Sequence, residues 1–126
     1  MPIPPISKDN NYLGSVEVLN RLKAKRDAET DPEELQALAD RIRRREQQSE
    51  AQKQKILDCI NQLKNPRARE AARLAFLEGK NREQIAAKIG VCTRQVSVYC
   101  ILAREVYAAQ QITQASRERS GAPGKE

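Results

Sequence analysis

The sequence predicts an all-α protein: an N-terminal long helix or helical hairpin of coiled-coil type, then a C-terminal helix-turn-helix domain with a long last helix. Three observations carry that prediction. Residues 15–78 hold no glycine, and Pro32 and Pro66 are the only prolines among them. Each of these prolines follows an Asp or an Asn, the pairing of a helix cap with a first helical residue. Five glycines and six prolines in 126 residues also leave little turn material for a chain of short strands.

The elements follow in order. The opening residues, rich in proline and polar side chains, read as extended and poorly ordered. A first helix is expected from Ser15 to about Glu29, with Val16, Leu19 and Leu22 at helical spacing. Asp31 then caps, Pro32 takes the first helical position, and Glu34 is placed to complete a capping box. Nothing breaks the helix so started before Lys64, and at 1.5 Å per residue it spans roughly 50 Å. Positions 35, 38, 42, 45, 49, 52, 56, 59 and 63 read Leu, Leu, Ile, Arg, Ser, Gln, Ile, Cys, Leu. That is a heptad with apolar ends and a polar middle. Asp40, Glu46 and Glu50 lie among Arg41, Arg43, Arg44 and Arg45, so this basic cluster reads as a solvated face.

The second half repeats the starting signal. Asn65 caps, Pro66 follows, and the helix runs to Glu78 before Gly79. Asn81 caps the next helix, with Gln84 as capping-box partner, and Gly90 closes it. Thr93 is expected to cap the last helix, which meets no breaker before Gly121. Three segments result: residues 1–64 as a disordered start plus the hairpin or coiled coil, 65–113 as the helix-turn-helix domain, and 114–126 as a disordered tail.

Composition excludes several functions. There is no histidine, so a Ser-His or Cys-His nucleophile is impossible, and an enzyme is not expected. Cys59, Cys92 and Cys100 form no C-x-x-C pair and read as small hydrophobes, so neither a metal nor another cofactor is expected. The opening Met-Pro-Ile-Pro-Pro-Ile lacks the basic flank and apolar core of a signal peptide. The longest apolar run, Val98–Ala103, is far below the ~20 residues of a membrane span. A cytoplasmic protein with no membrane partner is the expectation. Residues 66–126 hold 11 Lys and Arg against 6 Asp and Glu, so they carry nearly all of the +6 net charge. An anionic partner on that half fits this asymmetry.

Residues 82–101 meet together the requirements of a helix-turn-helix. Ala86 is small where two helices cross closely, and Gly90 tolerates positive φ at the turn. Ile85, Ile89, Val91, Val96 and Tyr99 fall on the positions that face a shared core. The plain alternative is an ordinary helical hairpin.

Several segments resemble a known group. Arg67-Ala68-Arg69-Glu70 and the run Arg73 to Gly79 are similar to the first helices of the fourth region of bacterial sigma factors. Glu83-Gln84-Ile85-Ala86 and Gly90-Val91 are similar to that region's turn. A long charged helix followed by Asn65-Pro66-Arg67 further resembles small phage-encoded transcriptional activators of the RinA and ArpU type. The resemblance implies a sigma-like regulator of transcription, double-stranded DNA as its partner, and RNA polymerase as a candidate second partner. Ala71 and Ala72 stand where the family has larger apolar residues, which implies a thinner core. Ser97 and Val98 depart from the family's base-reading places, and nothing resembles its promoter-melting region.

Groove chemistry assigns the roles. The helix from Thr93 would lie in a major groove, with Thr93, Arg94, Gln95, Ser97 and Val98 near base edges. Arg94 suits guanine, Gln95 adenine, and Val98 a thymine methyl. Arg82, Lys80 and Lys88 would hold phosphates. Arg67, Arg69 and Arg73 are phosphate candidates on the preceding helix, and solvation explains them equally well. A helical interaction or assembly adaptor, as in phage packaging, is the competing function. Ile101 and Ile112 on the last helix, and the apolar ends of the heptad helix, are left without assigned partners. A two-fold homodimer is expected to cover one or both, against the alternative that the heptad helix folds back on residues 15–29.

Overall fold

The computed structural model describes residues 3–120, and among these the chain is all-α. Its five helices are α1 (Tyr12–Ala28), α2 (Pro32–Gln62), α3 (Pro66–Phe76), α4 (Arg82–Ile89) and α5 (Thr93–Ser120). The disordered tail expected from residue 114 is not found over 114–120, which continue α5, and its remainder beyond residue 120 lies outside the described residues.

Helix starts follow the side chains that satisfy the free amides of a first turn. Asn11 accepts from Gly14 N at 3.0 Å, which begins α1 three residues earlier than apolar spacing suggests. Asp31 caps α2 through Glu33 N at 3.1 Å, with Pro32 first in the helix. The capping box expected from Glu34 is not formed. Glu29 accepts from the backbone N–H of Thr30 and of Asp31, each at 3.1 Å, so the Asp31 amide already has a carboxylate. Asn65 caps α3 through Arg67 N at 2.9 Å. Past its end Gly79 adopts φ +73°, and Lys80 N returns to the Leu74 carbonyl at 2.9 Å. This left-handed turn closes α3 two residues short of Glu78.

α1 folds back along α2 within the same chain. Leu19, Leu38 and Ile42 are buried in that hairpin, and each such side chain contributes about 1.5–3 kcal/mol. The polar middle of the heptad is met only in part: Gln52 finds a partner on α1, whereas the Ser49 hydroxyl is buried with no partner among the described residues. Ser15 donates to Gln52 at 2.6 Å, and Lys23 pairs with Glu46 at 3.5 Å. The fold-back alternative therefore describes the heptad helix, and its apolar ends are already covered.

The main core crosses the division expected at residue 64. Ile56, Cys59 and Ile60 of α2, and Leu63 at its C-cap, bury themselves with α3, α4 and α5. Ala68, Ala71, Ala72 and Ala75 give α3 a small-residue face that lets its neighbours approach closely. Leu74, Phe76, Ile85, Val96, Tyr99 and Ala103 complete the interior.

The opening segment is not poorly ordered from residue 3 onward. Ile6 is buried in the core, and residues 7–10 form a turn with Asn10 N bonded to the Ser7 carbonyl at 3.2 Å. Arg104 donates to the Pro4 carbonyl at 3.1 Å and the Pro5 carbonyl at 3.5 Å, while its guanidinium lies 5.4 Å from the centre of the Phe76 ring. The segment is a strap tied across α3 and α5.

Candidate nucleic-acid interface

The candidate surface is built around the corner between α4 and α5. Asn81 and Gln84 form a reciprocal capping box, with bonds of 2.8 and 2.9 Å, and this fixes where α4 begins. Ile85 and Ala86 bury the inner side of α4. At its end Gly90 stands at φ +73° and ψ 39°, and the N–H groups of Gly90 and Val91 both return to the Ala86 carbonyl. The axis then turns by 102° into α5.

The cap of α5 differs from expectation. The Cys92 carbonyl accepts from Gln95 N at 3.1 Å and Val96 N at 3.2 Å, so Cys92 takes the cap position and Thr93 is the first helical residue. One position of shift leaves Thr93 and Arg94 exposed on the first turn, with Gln95 and Ser97 partly covered and Val98 exposed. Val96 and Tyr99 point the other way, into the core.

The basic residues fall into groups. Arg82, at the start of α4, lines one cleft with Ser97, Ile101 and Arg104 of α5 and with Ile3 and Pro4 of the strap. Lys88 is exposed within electrostatic reach of Glu70 on α3. Lys80 is half-buried in the loop before α4, and Arg67 is exposed at the start of α3. The remaining two arginines have intramolecular partners. Arg69 Nε donates to the Leu63 carbonyl, which otherwise ends α2. Arg73 is held by Glu70, at 3.2 and 2.5 Å, and by Glu78. The Arg73 guanidinium bonded to Glu70 holds that carboxyl below the usual carboxylate range.

Two contributors to this surface escaped the sequence reading. The strap residues Ile3 and Pro4 reach it because Ile6 anchors them, and the signal was the spacing of Ile3 and Ile6 among prolines. Arg104 sits beside Arg82 but gives its donors to the strap.

Burial pushes the Cys59 thiol up to about 11, and burial also raises that of Cys100 against the pull of Arg104 and Arg82. Among the described residues no three His, Cys, Asp or Glu side chains gather as a metal set, and no single helix is long and apolar enough to cross a membrane. No family model, curated protein or solved structure matches the chain.

Proposed function

We propose that the chain is a sequence-specific, double-stranded DNA-binding regulator of transcription, with α4 and α5 as a sigma-like helix-turn-helix. The observation that carries this reading is the 102° corner at a left-handed Gly90, with Ala86 inside it and Thr93, Arg94 and Val98 exposed just beyond. A corner of that angle suits a second helix that enters a major groove by its first turns. Arg94, Gln95, Ser97 and Val98 then read base edges. Arg82, Lys80, Lys88 and Arg67 hold phosphates, while Arg69 and Arg73 brace the support beneath them. RNA polymerase is a further partner on this reading, and the host cytoplasm of a phage-encoded protein is its setting.

The test is selection of bound fragments from random DNA, followed by titration on the preferred site. Arg94→Ala is expected to weaken that site by about 1–3 kcal/mol and to relax its sequence preference, while Lys25→Ala on α1 changes neither. Contact with four to six phosphates sets a log-log salt slope of about −4 to −5. Equal, sequence-independent losses for Arg94→Ala and Lys25→Ala overturn the base-reading assignment.

One observation favours a second reading. Val98, Ile101, Leu102 and Ile112 are large apolar residues exposed on α5. A helical adaptor would use that stripe for protein rather than DNA, and failure to enrich any sequence from random DNA would favour it.

A further inference from the structure

Asn10 is 2% exposed, yet its side-chain oxygen has no hydrogen-bond partner among the described residues. Its amide nitrogen donates to the Gln52 carbonyl at 3.1 Å and to the Tyr107 hydroxyl at 3.0 Å. A main-chain carbonyl only accepts, so the nitrogen has to face Gln52 and the oxygen is the atom left over. Asn10 lines a cleft of about 370 Å³ between the turn at residues 7–10, α2 and α5. Gln111 of α5 lines the same cleft, and its amide nitrogen is likewise buried without a partner. One cleft thus carries an unused buried acceptor on Asn10 and an unpaired buried amide end on Gln111, which turns to present a donor, on different elements. Leaving either dry and unpaired is unfavourable.

We propose that this cleft binds a small neutral molecule through a carboxamide group. An amide offers an N–H to the Asn10 oxygen and a carbonyl to the Gln111 nitrogen. Tyr107 accepts from Asn10 and keeps its own O–H to donate to the same carbonyl. A carboxylate has no donor for the Asn10 oxygen, whose orientation the Gln52 carbonyl fixes. Asp9 and Lys55, both exposed, line the cleft with opposite charges, which suits the zwitterionic end of an amino acid. The volume lies at the small end of the range for ligand sites, about 300–1,000 Å³. The occupant joins the strap and α2 to α5, and nothing in its recognition depends on whether α5 reads DNA.

L-glutamine and L-asparagine are the probes, and L-glutamate is the control with a carboxylate in place of the amide. Each is titrated into the full chain without DNA, followed by the side-chain amide resonances of Asn10 and Gln111. Glutamine or asparagine is expected to shift both resonances saturably, and glutamate to bind at least about tenfold more weakly. Gln111→Ala, at a partly exposed position, is expected to lose about tenfold in affinity with an unchanged melting temperature. No saturable shift with either amide, as when water alone fills the cleft, overturns the proposal. So does equal binding of glutamine and glutamate. Because DNA is absent from the titration, the result is separate from that of the DNA-binding test.

Discussion

Single residues fix the corner on which the proposed function depends. Gly90 is at φ +73°, and a Cβ built there meets nothing within 4 Å. Substitution is therefore opposed by backbone conformation, not by space, and the cost of a left-handed residue is about 1–2 kcal/mol. Gly90→Val is expected to destabilise by at least that amount in urea denaturation, and Gly90→Asn by clearly less, because Asn tolerates this region. Equal stability of the valine and asparagine variants would sink the argument. Gly90 was legible in the sequence because a left-handed turn is a local demand. Asn65 with Pro66 and Asn81 with Gln84 were legible for the same reason. The role of Glu29 was not, since the capping-box spacing points to Glu34, three residues after Asp31, whereas the carboxylate that accepts from the Asp31 amide lies two residues before it.

At the scale of the element, α3 is secured by ions as well as by its alanine face. Arg73 joins Glu70, one turn back, to Glu78 beyond the end of the helix. Glu70 titrates below its ordinary range in the folded chain. A carboxylate lowered on folding stabilises the native state above its unfolded pKa, and this contribution is lost as pH falls through the folded value. Wild type and Glu70→Gln should therefore differ in denaturant stability near neutral pH and converge in acid. Both carboxylates are more than a third exposed, so the difference will be small and reduced further by salt. A gap that widens on acidification contradicts the assignment. The same bridge explains why Arg73 was ambiguous in the sequence: basic charge is visible there, and its carboxylate partners are not. The faces of α5 were easier: Val96, Tyr99, Ala103 and Val106 follow helical periodicity, and the first three are buried while Val106 is half-buried.

At the scale of the whole molecule, the hairpin removes one route to self-association and leaves another. Leu38 and Ile42 are covered by α1, whereas Ile101 and Ile112 remain 53% and 68% exposed. Any two-fold dimer is then expected to form through α5. Light scattering of the intact chain should show a dimer at micromolar concentration, and the doubly substituted Ile101→Lys, Ile112→Lys chain a monomer. A monomeric parent rejects the dimer, and a dimer that survives both substitutions moves the interface elsewhere. The strap was the large-scale feature hidden from the sequence. Its order comes from Ile6 in the core and from carbonyls of Pro4 and Pro5 bound by Arg104, some hundred positions away. Residue type alone gives no account of such distant pairings.

That strap also bears on the proposed DNA binding. Ile3 and Pro4 run beside Arg82 and Ser97, so the strap lies on the face proposed for DNA. Loosening the strap with Ile6→Ala should change the DNA affinity of the proposed site, whereas Lys25→Ala on α1 should leave it unchanged. Equal affinities for the two variants would separate the strap from the DNA-facing side. The shape of that face is thus set from a distance, by two proline carbonyls and one arginine.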